Sequence, residues 1–233
     1  MNQSEFRNSI WNVGNHFVQS PLHRSMDFKL HSHRFGTAIA AEEEYRSEWE
    51  EIIHVLQSIA DKDIITKHGE KSPNSKSVSK AINLLIHESL KLKGWVPESS
   101  IFNDPEYSQT RWRLDFAKEK ISIEVAFNHG EAIAWNLLKP VLASELNHVE
   151  KDAQTSLGVV IMATEALKAA GGFDNAVGTY EKAIRYLKPL QNQLTCPMVL
   201  IGLEAPKSFI VEHVGTPKRA RFVKSTTFDR DLD

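Results

Sequence analysis

With 233 residues, 41% of them apolar, the chain has enough material for one α/β domain with a sizeable core. Its 28 basic and 30 acidic side chains leave a net charge of −2, which counts against a surface built throughout for phosphate but not against a local basic stripe. One cysteine, Cys196, excludes an intrachain disulfide and suits a reducing cytoplasm. The lack of any apolar run of about 18 residues argues against a membrane helix, and the polar start argues against a secretory signal.

Residues 1–36, rich in Asn, Ser and His, read as an irregular arm. His16, His23, His31 and His33 match no zinc spacing and read as scattered surface residues. An amphipathic helix is predicted over 38–60, with Trp49, Ile52, Ile53, Leu56 and Ile59 on one stripe. Glu43, Glu44, Glu48, Glu50 and Glu51 make its solvated face, unless one of them reaches a metal site from the side. Residues 63–77 read as a basic loop, and a second helix is expected over 78–93, with Ser77 as N-cap and Gly94 as stop. Lys67, His68, Lys71, Lys76 and Lys80 suggest either a phosphate-contacting edge or a solvated loop.

The segment 111–128, RWRLDFAKEKISIEVAFN, alternates apolar and polar residues on both sides of AKEK, the pattern of a β-hairpin with one buried face. With Glu119-Lys120 as the loop, Phe116 pairs with Ile123 and Leu114 with Val125, and Asp115 stands opposite Glu124. Like charges at opposed positions repel, so a cation between them is called for. Mg²⁺, which takes one or two carboxylates, fits that need. Two alternatives stay open: Glu-Lys is a poor type I′ turn, so the register can slip, and a hairpin can carry acids for solubility alone.

Beyond the hairpin, 130–151 reads as a long helix interrupted at Pro140. Its stripe of Trp135, Leu138, Leu142 and Leu146 is either core, the favoured reading, or a dimer face. Apolar runs predict buried strands at 157–163 and 197–203. Between them lie a short helix at 164–170, a loop at 173–178 and a helix at 179–193. Residues 206–233 read as a tail with a basic patch, PKRARFVK, and Cys196 reads as a buried small residue. The sum is a single α/β domain, a mixed sheet flanked by helices.

The D-(about 8)-E-V-x-F pattern at the hairpin resembles the PD-(D/E)xK nuclease core, in the form used by the BglII/BstYI group of Type II restriction endonucleases. FNHGEAIAWNLLKPVLASELNHV resembles the helix after the catalytic strand in that group, and VGTYEKAIRYL followed by CPMVLIGL its late helix and strand, so the likeness spans roughly 78–204. It implies that fold and a sequence-specific, Mg²⁺-dependent DNA endonuclease, with Mn²⁺ able to substitute. It further implies a homodimer on double-stranded DNA in a prokaryotic cytoplasm, with a companion methyltransferase. By the same resemblance, Asp115, Glu124 and the Val125 backbone carbonyl are metal ligands.

Position 126 departs from the pattern: the usual Lys, Glu or Gln is Ala126, which neither orients nor deprotonates water. Three explanations stay open: Asn128, His129 or Glu131 stands in by proximity, metal and phosphate activate the water alone, or the chain is an inactive DNA-binding protein. Candidate DNA contacts are Lys76, Lys80, Asn128, His129, Asn175, Gly178 and Thr179. Thr179 serves equally as an N-cap, and His129 as a turn residue before a helix start suited to phosphate. A scaffold unrelated to DNA is the remaining alternative, supported by the near-neutral charge.

Overall fold

The computed structural model describes residues 25–107, 112–145 and 151–225. His16, His23, Arg111 and Leu146 lie outside them. Six strands form one mixed sheet: β1 (Phe28–His33), β2 (Val96–Ser100), β3 (Arg113–Lys118), β4 (Ile121–Val125), β5 (Leu157–Ala163) and β6 (Met198–Leu203), in the order β1-β6-β5-β4-β3-β2. β4, β5 and β6 run parallel, and antiparallel pairs flank them on both sides. The central strands are apolar because both faces are covered; every residue of β4, β5 and β6 is buried.

Alternation along these strands sorts the core into two layers. Ile121, Ile123, Val159, Ile161, Val199 and Ile201 face helices α2 (Glu43–Ser58), α3 (Asp61–Lys71) and α4 (Ser79–Leu92). Ala126, Val160, Met162, Met198 and Leu200 face α5 (Ile133–Ser144) and, after the short helix α6 (Glu165–Ala170), α7 (Tyr180–Leu187). The even positions of β4, Glu124 among them, therefore look toward α5. The apolar stripe of α5 is pressed on the sheet at Pro140: a Cβ built on Gly158 would lie 2.6 Å from the Pro140 Cβ, so only glycine lets the helix come this close.

Several expectations are corrected. The arm over 1–36 contains strand β1, antiparallel to β6, followed by the short helix α1 (Gly36–Ala40). His33 is buried rather than on the surface, with Nε2 2.8 Å from the Leu194 carbonyl oxygen. The helix expected over 38–60 is broken after Ala40, and α2 starts at Glu43. The basic loop over 63–77 is largely α3, which buries Ile64 and His68. Val78, not Ser77, is the N-cap of α4. β2 had no sequence signal.

The helix expected over 130–151 is a 3₁₀ turn, Gly130–Ala132, then α5, which ends at Ser144. The helix expected over 179–193 ends at Leu187. The tail over 206–233 holds a second sheet, β7 (Phe209–Val214) paired with β8 (Arg219–Lys224). Asp61 at the start of α3 anchors that hairpin: its Oδ2 accepts from the Lys207 N–H (3.0 Å), the Ser208 N–H (2.7 Å) and the Ser208 hydroxyl (2.7 Å). Among the described residues no helix is long and apolar enough to cross a membrane. Burial lifts the Cys196 thiol to about 11, which suits a core residue and not a nucleophile.

Candidate active site

The two-residue loop Glu119-Lys120 closes the β3–β4 hairpin, with Glu119 at φ 47°. Phe116 pairs with Ile123, as the alternation requires. The ladder then stops short of the expected Leu114–Val125 pair, and side chains replace backbone partners. The Val125 N–H donates to Asp115 Oδ2 at 2.6 Å, and the Asp115 N–H approaches Glu124 Oε1 at 3.4 Å. The two carboxylates thus meet where the strands part, each held by the other strand's backbone. The β2–β3 register also skips Glu98, a residue at φ 51° whose charge bears on Asp115.

Glu124 is 2% exposed and Asp115 is half-buried. Burial raises Asp115 above the usual carboxylate range, and burial together with Asp115 pushes Glu124 up to about 8. The opposing influence is Lys139 of α5. Its ammonium forms an ion pair with Glu124 Oε2 and donates to the Arg113 carbonyl oxygen at 3.0 Å. Sequence reading missed Lys139. The one local signal was a lysine on the buried stripe of a helix, just before Pro140.

Two acids facing one ammonium leave a deficit of positive charge, so a divalent cation fits the donor set. The Val125 carbonyl oxygen, third in that set, accepts a long 3.3 Å bond from the Phe127 N–H. Among the described residues no group of three or more His, Cys, Asp and Glu side chains could hold a metal ion. Any ion here would rest on two carboxylates, backbone and water, a pattern suited to Mg²⁺.

Ala126 is 2% exposed, in the cluster containing Ile133 and Leu137. Asn128 turns elsewhere. The Asn128 carboxamide is paired with buried Asn136, whose Nδ2 donates to Asn128 Oδ1 at 2.9 Å. His129 bridges to Val177, and its charge bears on Asp174. Backbone bonds from Gly130 N–H to the Ala176 carbonyl (2.7 Å) and from Gly178 N–H to the Asn128 carbonyl (2.9 Å) join this turn to the 174–178 loop. Gly178 allows the approach, since a Cβ there would sit 3.1 Å from the Gly130 Cα.

Lys76 joins the same place through its ion pair with Asp174 at 2.7 Å, which holds the Asp174 carboxyl near 2. The fold therefore brings Lys76, Asn128, His129, Asn175 and Gly178 together; Asn128, His129, Asn175 and Lys76 are exposed. Lys80 is exposed on the first turn of α4. Thr179 is buried and caps α7: its Oγ1 accepts from the Lys182 N–H, and its hydroxyl donates to Glu165 Oε1 at 2.7 Å. None of the acids of α2 is bonded to Asp115 or Glu124; Glu51 instead pairs with Lys118 at 2.8 Å.

The family model for restriction endonuclease BglII/BglIII matches residues 28–203, so the chain belongs to that family of sequence-specific Type II restriction endonucleases acting on DNA. Among solved structures, the crystal structure of restriction endonuclease BglII complexed with a DNA 16-mer is similar in fold. It has a TM-score of 0.58 and 16% identity, and the match covers 86% of this chain and all of that one. The crystal structure of free BglII matches over the same shares at 17% identity and a TM-score of 0.47. No curated protein matches.

Proposed function

We propose that this protein cuts double-stranded DNA at a specific sequence as a homodimer, with Mg²⁺ as cofactor and Mn²⁺ as a substitute. The observation that carries this reading is the meeting of Asp115 and Glu124 at the mouth of the β3–β4 hairpin, held by backbone N–H groups. Asp115, Glu124 and the Val125 carbonyl would hold the ion. When bound, it supplies polarisation of the scissile phosphate and a lowered pKa for the attacking water. Asp115 keeps one oxygen on the Val125 N–H, so its other oxygen is free to turn to the ion. The 128–130 and 174–178 turns, with Lys76, would face the DNA: Lys76 a phosphate, and Asn128, His129 and Asn175 the base edges. Thr179 would act by fixing the start of α7.

A two-fold dimer would match the symmetry of a palindromic target. Three of the four residues of the α5 stripe are already used within the protomer: Trp135 packs edge-on to Trp112 at 5.2 Å, and Leu138 and Leu142 lie against the core. The same reading puts the protein in a prokaryotic cytoplasm beside a companion methyltransferase.

Ala126 supports a second reading, a DNA-binding protein that does not cut. A digest of plasmid and phage DNA with Mg²⁺, methylated and unmethylated, run beside Asp115→Ala, separates the two. Discrete fragments from the parent and none from the variant support the nuclease. Intact DNA together with salt-sensitive binding supports the binder.

A further inference from the structure

We propose that Lys139 takes over, from α5, the place that Ala126 leaves without a polar group at the end of β4. It is a positioning residue: it fixes Glu124 and supplies the fixed positive charge of the site. The inference rests on the nuclease reading above.

Position 126 offers no alternative. Ala126 is sealed in the α5–α7 layer with Ile133, Leu137 and Met162, the Asn128 carboxamide is paired with Asn136, and His129 is exposed on the turn whose backbone bridges to Val177. Lys139 looks onto the same face of β4. It is 8% exposed, its ammonium is on Glu124 Oε2, and a second bond to the Arg113 carbonyl leaves it beside Asp115 as well.

A buried lysine is a poor choice for stability alone. Replacing a buried ion pair by apolar groups of similar volume is often neutral or stabilising, and most of the other buried residues of α5, Ile133, Leu137 and Val141 among them, are apolar. Its position is also fixed from both sides. Pro140, the next residue, seats on Gly158, and Asn136 is clamped to Asn128. A charge fixed before substrate arrives requires no reorganisation during the reaction.

The test compares the parent with Lys139→Met and Lys139→Arg by three readouts: single-turnover cleavage, DNA affinity in Ca²⁺, and Mn²⁺ affinity without DNA. For Lys139→Met we expect the cleavage rate to fall by about 100-fold while DNA and Mn²⁺ affinities stay within about threefold of the parent or tighten. Lys139→Arg recovers part of the rate. Retained DNA binding shows that the variants fold. Cleavage by Lys139→Met within about threefold of the parent overturns the inference and leaves the nuclease reading intact. Loss of Mn²⁺ affinity as severe as in Asp115→Asn also overturns it, by making Lys139 a builder of the metal site only. A parent that binds DNA and never cuts overturns the nuclease reading first and this inference with it.

Discussion

Lys139 and Glu124 form an ion pair whose side chains are 10% and 2% exposed, so neither charge has water as its main partner. Glu124 nevertheless stands at about 8, because burial and Asp115 outweigh the single ammonium. A carboxyl raised in the fold binds a proton that the unfolded chain has already released. Between its ordinary 4.5 and about 8, the metal-free protein therefore loses stability as pH rises, by up to a few kcal/mol. A cation on the carboxylates competes with that proton. The rise in Tm produced by Mg²⁺ should thus grow from pH 5 to pH 8, as read by thermal melts with and without the ion. A Mg²⁺ effect independent of pH would rule this out.

Asp115→Asn removes one of two crowded charges and keeps an oxygen able to accept the Val125 N–H. Metal-free stability should stay level or rise by about 1 kcal/mol, while cleavage falls by a factor on the order of 1,000. Urea unfolding and a digest on the same preparation check both halves. A large stability loss would mean that the charge itself holds the strands.

Lys76 and Asp174 are each 47% exposed, so their pair contributes little to folding. Lys76→Ala should change stability by less than about 1 kcal/mol, weaken DNA binding and reduce the salt slope by about one. Asp174→Asn, which frees Lys76, should tighten non-specific binding. Titrations by fluorescence anisotropy at several salt concentrations distinguish these outcomes from a loop that never meets DNA.

Asp61 is 7% exposed and takes three donors from Lys207 and Ser208. Asp61→Ala leaves two backbone N–H groups without that acceptor, at a cost of about 2–4 kcal/mol. Hydrogen exchange should show protection lost first in β7 and β8. A uniform loss across the sheet would mean that the hairpin and core unfold as one.

Where burial was two-sided, the fold was legible. LGVVIMA and PMVLIGL sit on β5 and β6 with little error, because only a covered central strand tolerates such runs. β1, FKLHSH, lies at a sheet edge and is fully buried at one position only, so its pattern is diluted by Lys and His. DIITKHGEK reads as a loop because the α3 core contact rests on few residues, Ile64 and His68 chief among them. The acidic pair was legible from hairpin arithmetic. Lys139 was not, because its contact with Glu124 exists only once α5 packs across β4.

The turns at 128–130 and 174–178 are joined by main-chain hydrogen bonds and two close glycines. Backbone atoms are common to every amino acid, so their alignment does not depend on what Asn175 or Ala176 happen to be. On the proposed reading, substitutions there would change which bases are favoured while the paired acids, anchored in separate strands, stay where they are. If those turns read the bases, target preference would be able to drift over generations without the cutting chemistry having to be rebuilt.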